Sequence, residues 1–133
     1  MAYWIMKSEP GTWSWQDQLA AGTAEWDGVR NAQALKNMRA MRIGDRAFFY
    51  HSGKERRIVG LMEIARDFYP DLEDAKSGLV DVKALQTVPK PVDLATIKAE
   101  PALAELALVR QPRLSVMPVS DESWRILWQM AGL

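Results

Sequence analysis

The chain has 133 residues, 48% apolar and 26% charged, with 17 Lys plus Arg against 17 Asp plus Glu. That length fits one domain over residues 1–133, the apolar share excludes global disorder, and a net charge of zero excludes coating nucleic acid by charge alone. The absence of cysteine excludes a disulfide framework, a thiolate metal site and a cysteine nucleophile, and it agrees with a reducing, cytoplasmic setting.

Tyr3 to Lys7 is a short apolar run with the composition of a strand, stopped by Ser8-Glu9-Pro10-Gly11. Ser14 and Gly22 bracket a short helix, and Trp26 to Arg30 reads as a loop. Asn31 can cap a helix of about two turns with Leu35 and Met38 on one face. Gly44-Asp45 is a turn, and Ala47 to His51 is a strand whose adjacent aromatics imply burial on both faces. Ile58 to Ala65 is its hairpin partner across Lys54-Glu55. Pro70 to Gly78 is an acidic loop. Leu79 to Val88 is a strand that Pro89 and Pro91 should end. Asp93 opens a helix that Pro101 ends or restarts. Arg113 to Val119 is a short strand. Ser120 to Gly132 is the strongest helix, with Trp124, Leu127, Trp128 and Ala131 on one apolar face.

Five or six strands with short helices between them leave no room for the crossovers of a doubly wound parallel sheet. The expected class is α+β, with a small bent mixed or antiparallel sheet approaching a barrel. No apolar run approaches the roughly 20 residues of a membrane helix. The opening MAYWIMKSEP has no basic region followed by a long apolar stretch, so neither a membrane nor a signal peptide is expected.

Charge is unevenly spread. Arg30 to Arg57 holds eight basic and two acidic residues, and Glu63 to Asp81 holds six acidic and two basic. These are either two solvated faces or a basic track for phosphates beside an acidic segment. The chain has no GxGxxG, Walker loop, HExxH or GxSxG motif. One histidine, His51, leaves no His pair for a metal, and the acidic loop lacks the EF-hand spacing, so no metal and no cofactor are expected. His51 and Ser52 are neighbours on a strand and face opposite sides, which argues against a direct nucleophile–base pair.

Six residues are tryptophan: Trp4, Trp13, Trp15, Trp26, Trp124 and Trp128. Each is bulky and carries an N–H that needs a partner when buried. Packing is the ordinary use, and stacking on a flat ligand is the alternative for at least one. Polar residues cluster at element ends: Lys7-Ser8-Glu9, Trp26 to Asn31, His51-Ser52, and Arg110 to Ser115. Strand ends converge at the mouth of a small barrel, where a Trp face and amides suit a heterocycle with polar edges.

These blocks resemble the EVE-domain family, which includes the thymocyte nuclear proteins. The resemblance rests on Tyr3-Trp4-Ile5-Met6-Lys7-Ser8-Glu9-Pro10, Trp26-Asp27-Gly28-Val29-Arg30-Asn31 and Phe49-Tyr50-His51-Ser52. It continues through Ile58-Val59-Gly60, Tyr69-Pro70-Asp71 and Leu108-Val109-Arg110-Gln111-Pro112-Arg113-Leu114-Ser115-Val116. It implies a PUA-like fold and a non-catalytic reader of modified nucleobases, with DNA or RNA as partner; a monomer is expected. A small enzyme acting on a nucleotide or modified base, using Lys7, Glu9 or His51 as acid or base, is the alternative.

By position, the resemblance implies a ligand site of Lys7, Ser8, Glu9, Trp26, Val29, Arg30, Asn31, His51, Ser52, Arg113, Leu114 and Ser115. Arg56 and Arg57 would meet phosphates. Each has a plainer reading: a core Trp26, an Asn31 that only caps a helix, an exposed strand-end Lys7, a Glu9 or Arg113 held in an ion pair, and solvated Arg30, Arg56 and Arg57.

Overall fold

The structure, a computed structural model, describes residues Met1–Leu133. Six strands form one mixed sheet: β1 (Tyr3–Ser8), β2 (Thr23–Trp26), β3 (Arg46–His51), β4 (Arg57–Pro70), β5 (Gly78–Asp93) and β6 (Val116–Val119). Their order is β2-β5-β4-β3-β1-β6. Only β1 and β3 run parallel, with Tyr3 opposite Arg46 and Ser8 opposite His51. The remaining pairs are antiparallel. Five short helices decorate it: α1 (Trp15–Ala21), α2 (Ala32–Ala40), α3 (Leu94–Ala99), α4 (Ala107–Arg110) and α5 (Asp121–Met130).

The α+β class and the mixed sheet are those the sequence implies, but the sheet is not closed into a barrel. Its edge strands β2 and β6 have four residues each, and closure would require the two edges to pair. Curvature is instead concentrated in β4 and β5, whose ladder shifts register at four places, since each bulge bends and twists its strand.

Local chemistry explains most element ends. Ser14 and Asp17 form a reciprocal capping box on α1, and Asn31, Asp93 and Ser120 accept backbone N–H bonds at the starts of α2, α3 and α5. Three expectations need correction. Strand β5 continues through Pro89 and Pro91, because both fall between the Thr87–Gly60 and Val92–Ile58 pairs, where the ladder is already broken and no N–H is needed. The loop assigned near Trp26 begins with β2, which pairs Trp26 with Val80. The last strand starts at Val116 rather than Arg113, and four residues before Gln111 form the unforeseen helix α4.

One cluster of buried apolar side chains runs through the molecule, from Trp15 and Trp26 to Trp124 and Leu127. Trp124 on α5 stacks on Tyr3 (centroids 4.5 Å) and on Phe48 (4.1 Å). Trp128 is only half-buried, at the margin of that face, so it is less of a core residue than its helical spacing suggests. Asp45 is buried and accepts hydrogen bonds from Trp4 Nε1, the Ala2 N–H and the Arg42 N–H, which ties the start of the chain to β3.

Candidate functional site

A cavity of about 590 Å³ opens at the C-terminal end of β1. Three segments wall it: β1 with the turn after it, the end of β2 with the following loop, and the entry to β6. After β1, the Thr12 and Trp13 N–H groups both donate to Glu9 O, and Ser8 Oγ donates to Trp13 O at 2.6 Å. This turn sets Trp13 against the cavity. The Trp13 indole N–H donates to Gln18 Oε1, and buried Gln18 is itself anchored on Gly22 O and Val82 O. The ring is therefore fixed by its edge while remaining half-buried.

Trp26 lies across the same cavity but keeps only 6% of its surface exposed. It meets Phe49 edge-to-face at 5.4 Å, so it is mostly a core residue with a small surface turned to the cavity. After Trp26 the chain turns through Gly28 at φ +73°, a conformation other residues adopt at a cost, and returns Val29 to the wall.

Lys7 closes the third side. Its N–H donates to Ser115 O and its Nζ to Pro112 O, both at 2.8 Å. The ammonium is 5.8 Å from the Tyr50 ring centroid. Half-burial strips it of water and lowers its pKa from the ordinary lysine value. Glu25 and Asp27 bring two exposed carboxylates to the rim.

The EVE domain family profile matches residues 2–130 of the chain. The chain belongs to the EVE domain family. An Agrobacterium tumefaciens protein of known structure is 46% identical, with a TM-score of 0.96 covering 100% of this chain and 94% of that one. Human thymocyte nuclear protein 1 is 34% identical over 159 residues, spanning 92% of this chain and 71% of the human protein. Its structure in complex with DNA containing 5-methylcytosine superposes with a TM-score of 0.89 at 32% identity, covering 100% of this chain and 99% of that one. An ASCH protein of Zymomonas mobilis, at 10% identity and a TM-score of 0.63 over 96% of this chain and 94% of its own, shares the fold alone.

In this EVE domain the expected site residues divide. Lys7, Ser8, Trp26, Val29 and Ser115 line the main cavity. Asn31, Arg113 and Leu114 line a separate groove of about 300 Å³. His51 corrects the expectation of a single mouth. It is 4% exposed, its Nε2 accepts the Trp15 N–H at 2.9 Å, and its Nδ1 meets Glu55 Oε1 at 3.0 Å. Both ring nitrogens are engaged, so the ring props up α1 from behind the cavity. Ser52 likewise lies outside the lining, its N–H donating to Ser8 O. Glu9 is exposed, and its carboxylate lies against Gly53 instead of entering an ion pair.

The basic candidates also separate. Arg30 is paired with Asp74 of the acidic loop at 2.7 Å, and Arg57 with Glu55 at 3.0 Å. Arg56 carries no ion pair, sits at φ +48°, and shares a groove of about 310 Å³ with Lys54 and Lys98. No group of three His, Asp or Glu side chains is placed to hold a metal. Sequence reasoning missed Thr12, Trp13, Glu25 and Asp27. Trp13 was legible only as one tryptophan among six, and the carboxylates join the rim because Trp26 ends a strand instead of lying in a free loop.

Proposed function

We propose that this EVE domain reads a modified cytosine in DNA, extruding the base into the cavity between Trp13 and Trp26. The observation that carries the reading is the wall chemistry: indole surface, a partly dehydrated Lys7 ammonium and the Glu25 and Asp27 carboxylates around one opening. Cytosine presents an amino donor at N4 beside acceptors at N3 and O2. A carboxylate accepts from the first and an ammonium donates to the others. A methyl group on C5 is apolar and gains by contact with Val29 and indole carbon. The size of the cavity lies within the usual range for small-molecule sites. The complex of human thymocyte nuclear protein 1 with DNA containing 5-methylcytosine supports the same ligand class for a relative.

The domain acts as a binding module, and every wall of the cavity comes from one chain, so a monomer suffices. RNA is the weaker partner on this reading. Fluorescence anisotropy with single strands and duplexes, each with cytosine or 5-methylcytosine at one position, tests it. Modified DNA is expected to bind more tightly and to be recovered unchanged. Equal affinity for both bases, preference for RNA of the same sequence, or conversion of the base would overturn the reading.

A further inference from the structure

The second groove is built from the same two loops as the first. Asn31 lies two residues after Val29 of the main cavity, and Leu114 directly precedes Ser115. The hydrogen bond from Lys7 Nζ to Pro112 O joins a wall of one to a wall of the other. Resting on the reading above, we propose that this groove holds the nucleotide next to the extruded base, and that it selects guanine there.

The side chains carry the argument. Arg113 is exposed and makes neither an ion pair nor a hydrogen bond within the protein, whereas nearby Arg110 is held by Glu105. Its guanidinium is free to present a planar fork. Asn31 spends its Oδ1 on the Ala34 N–H at the start of α2, which leaves its amide nitrogen as a donor. Gln33 and Gln111 add amides on either side. Arg113 is the one charged group of the lining, and it only donates. On the edge that faces the major groove, guanine alone offers two acceptors, O6 and N7, side by side, and an Arg fork matches them. Adenine offers an acceptor beside a donor on that edge, and the Arg113 fork, which only donates, cannot match the donor.

Arg113 thus has two possible uses that chemistry separates. A phosphate contact needs only positive charge, which lysine retains. A base contact needs the fork, which lysine lacks. The test measures affinity for short DNA strands with guanine, adenine or 7-deazaguanine beside the central cytosine, in modified and unmodified series. Wild-type protein is expected to favour guanine by at least about fivefold, the lower end for a bidentate Arg contact. The 7-deaza analogue, which lacks the N7 acceptor, should forfeit most of that. Both Arg113→Ala and Arg113→Lys should abolish the flank preference, and both should keep the ratio between modified and unmodified strands.

A guanine preference that survives in Arg113→Lys, or a wild-type protein indifferent to the flanking base, overturns this assignment. Indifference to methylation with the flank preference intact overturns the modified-base reading and leaves this one standing. Loss of both preferences in wild type sinks both.

Discussion

The two ends of β1 use the same kinds of residue for opposite purposes. At its start, Trp124 stacks on Tyr3 with an interplanar angle of 12° and on Phe48 with one of 23°. The flat surface of that indole is taken up by protein rings. At its other end, Trp15, Trp26 and His51 each meet the Phe49 ring at a steep angle. Those three rings are buried, whereas Trp13 beyond them packs only part of its ring against the core, is anchored by its N–H and stays half-buried. A tryptophan whose face is already stacked contributes to stability. One held by its edge still has stacking to offer a ligand.

The largest test of this contrast is at Trp124. Replacing it with alanine removes the most extensive aromatic stacking in the molecule and should cost about 3–5 kcal/mol. Chemical denaturation would measure it. Whatever fraction stays folded should keep its discrimination between modified and unmodified DNA. A melting point equal to wild type would show that the stack is not a stability element, and the contrast would lose one side.

Trp13 sharpens the other side. Its ring makes one hydrogen bond and is only half covered, so Trp13→Ala should change folding stability far less than Trp124→Ala. It should nevertheless weaken DNA binding by about 1–3 kcal/mol, the usual value of one stacked base. Trp26 falls between the two, because its burial predicts losses in both stability and affinity. If Trp13→Ala leaves affinity unchanged while destabilising the fold by several kcal/mol, the edge-held ring is structural after all.

Much of this division was legible in the chain. Capping residues, aromatic runs and turn formers located β1, β3 and the helices α1, α2, α3 and α5, because those signals act over a few residues. The long curvature of β4 and β5 was not, since it depends on bulges that let two prolines sit inside a strand. The resemblance brought Lys7, Ser8, Trp26, Val29 and Ser115 to one candidate site without showing their geometry. It could not separate Asn31 and Arg113 into their own groove, because that depends on a bond between Lys7 and Pro112, which lie more than one hundred residues apart in the chain. Nor could it tell that His51 faces inward: in a strand buried on both sides, alternation gives no preferred direction.

That inward histidine supports the smallest and most specific prediction. Since His51 Nε2 accepts the Trp15 N–H, the ring proton resides on Nδ1 and is donated to Glu55. Glu55 is also approached by Arg57. The hydrogen bond from His51 holds the Glu55 carboxyl below its ordinary pKa, against the opposing effect of desolvation and with the help of the Arg57 guanidinium. A carboxyl whose folded pKa is depressed binds its proton more readily in the unfolded chain. Its contribution to stability is therefore complete above the unfolded value of about 4.3 and fades as pH falls through the lower folded value. Glu55 is partly exposed, so screening keeps the effect modest. Thermal melts of wild type and Glu55→Gln should differ near neutral pH and converge as pH drops below about 4. Trp124→Ala should show no such convergence, because nothing in its stack titrates in that window. A gap between wild type and Glu55→Gln that persists unchanged into acid would mean that the carboxylate does not brace His51, and that the cavity end of β1 rests on packing alone, as the other end does.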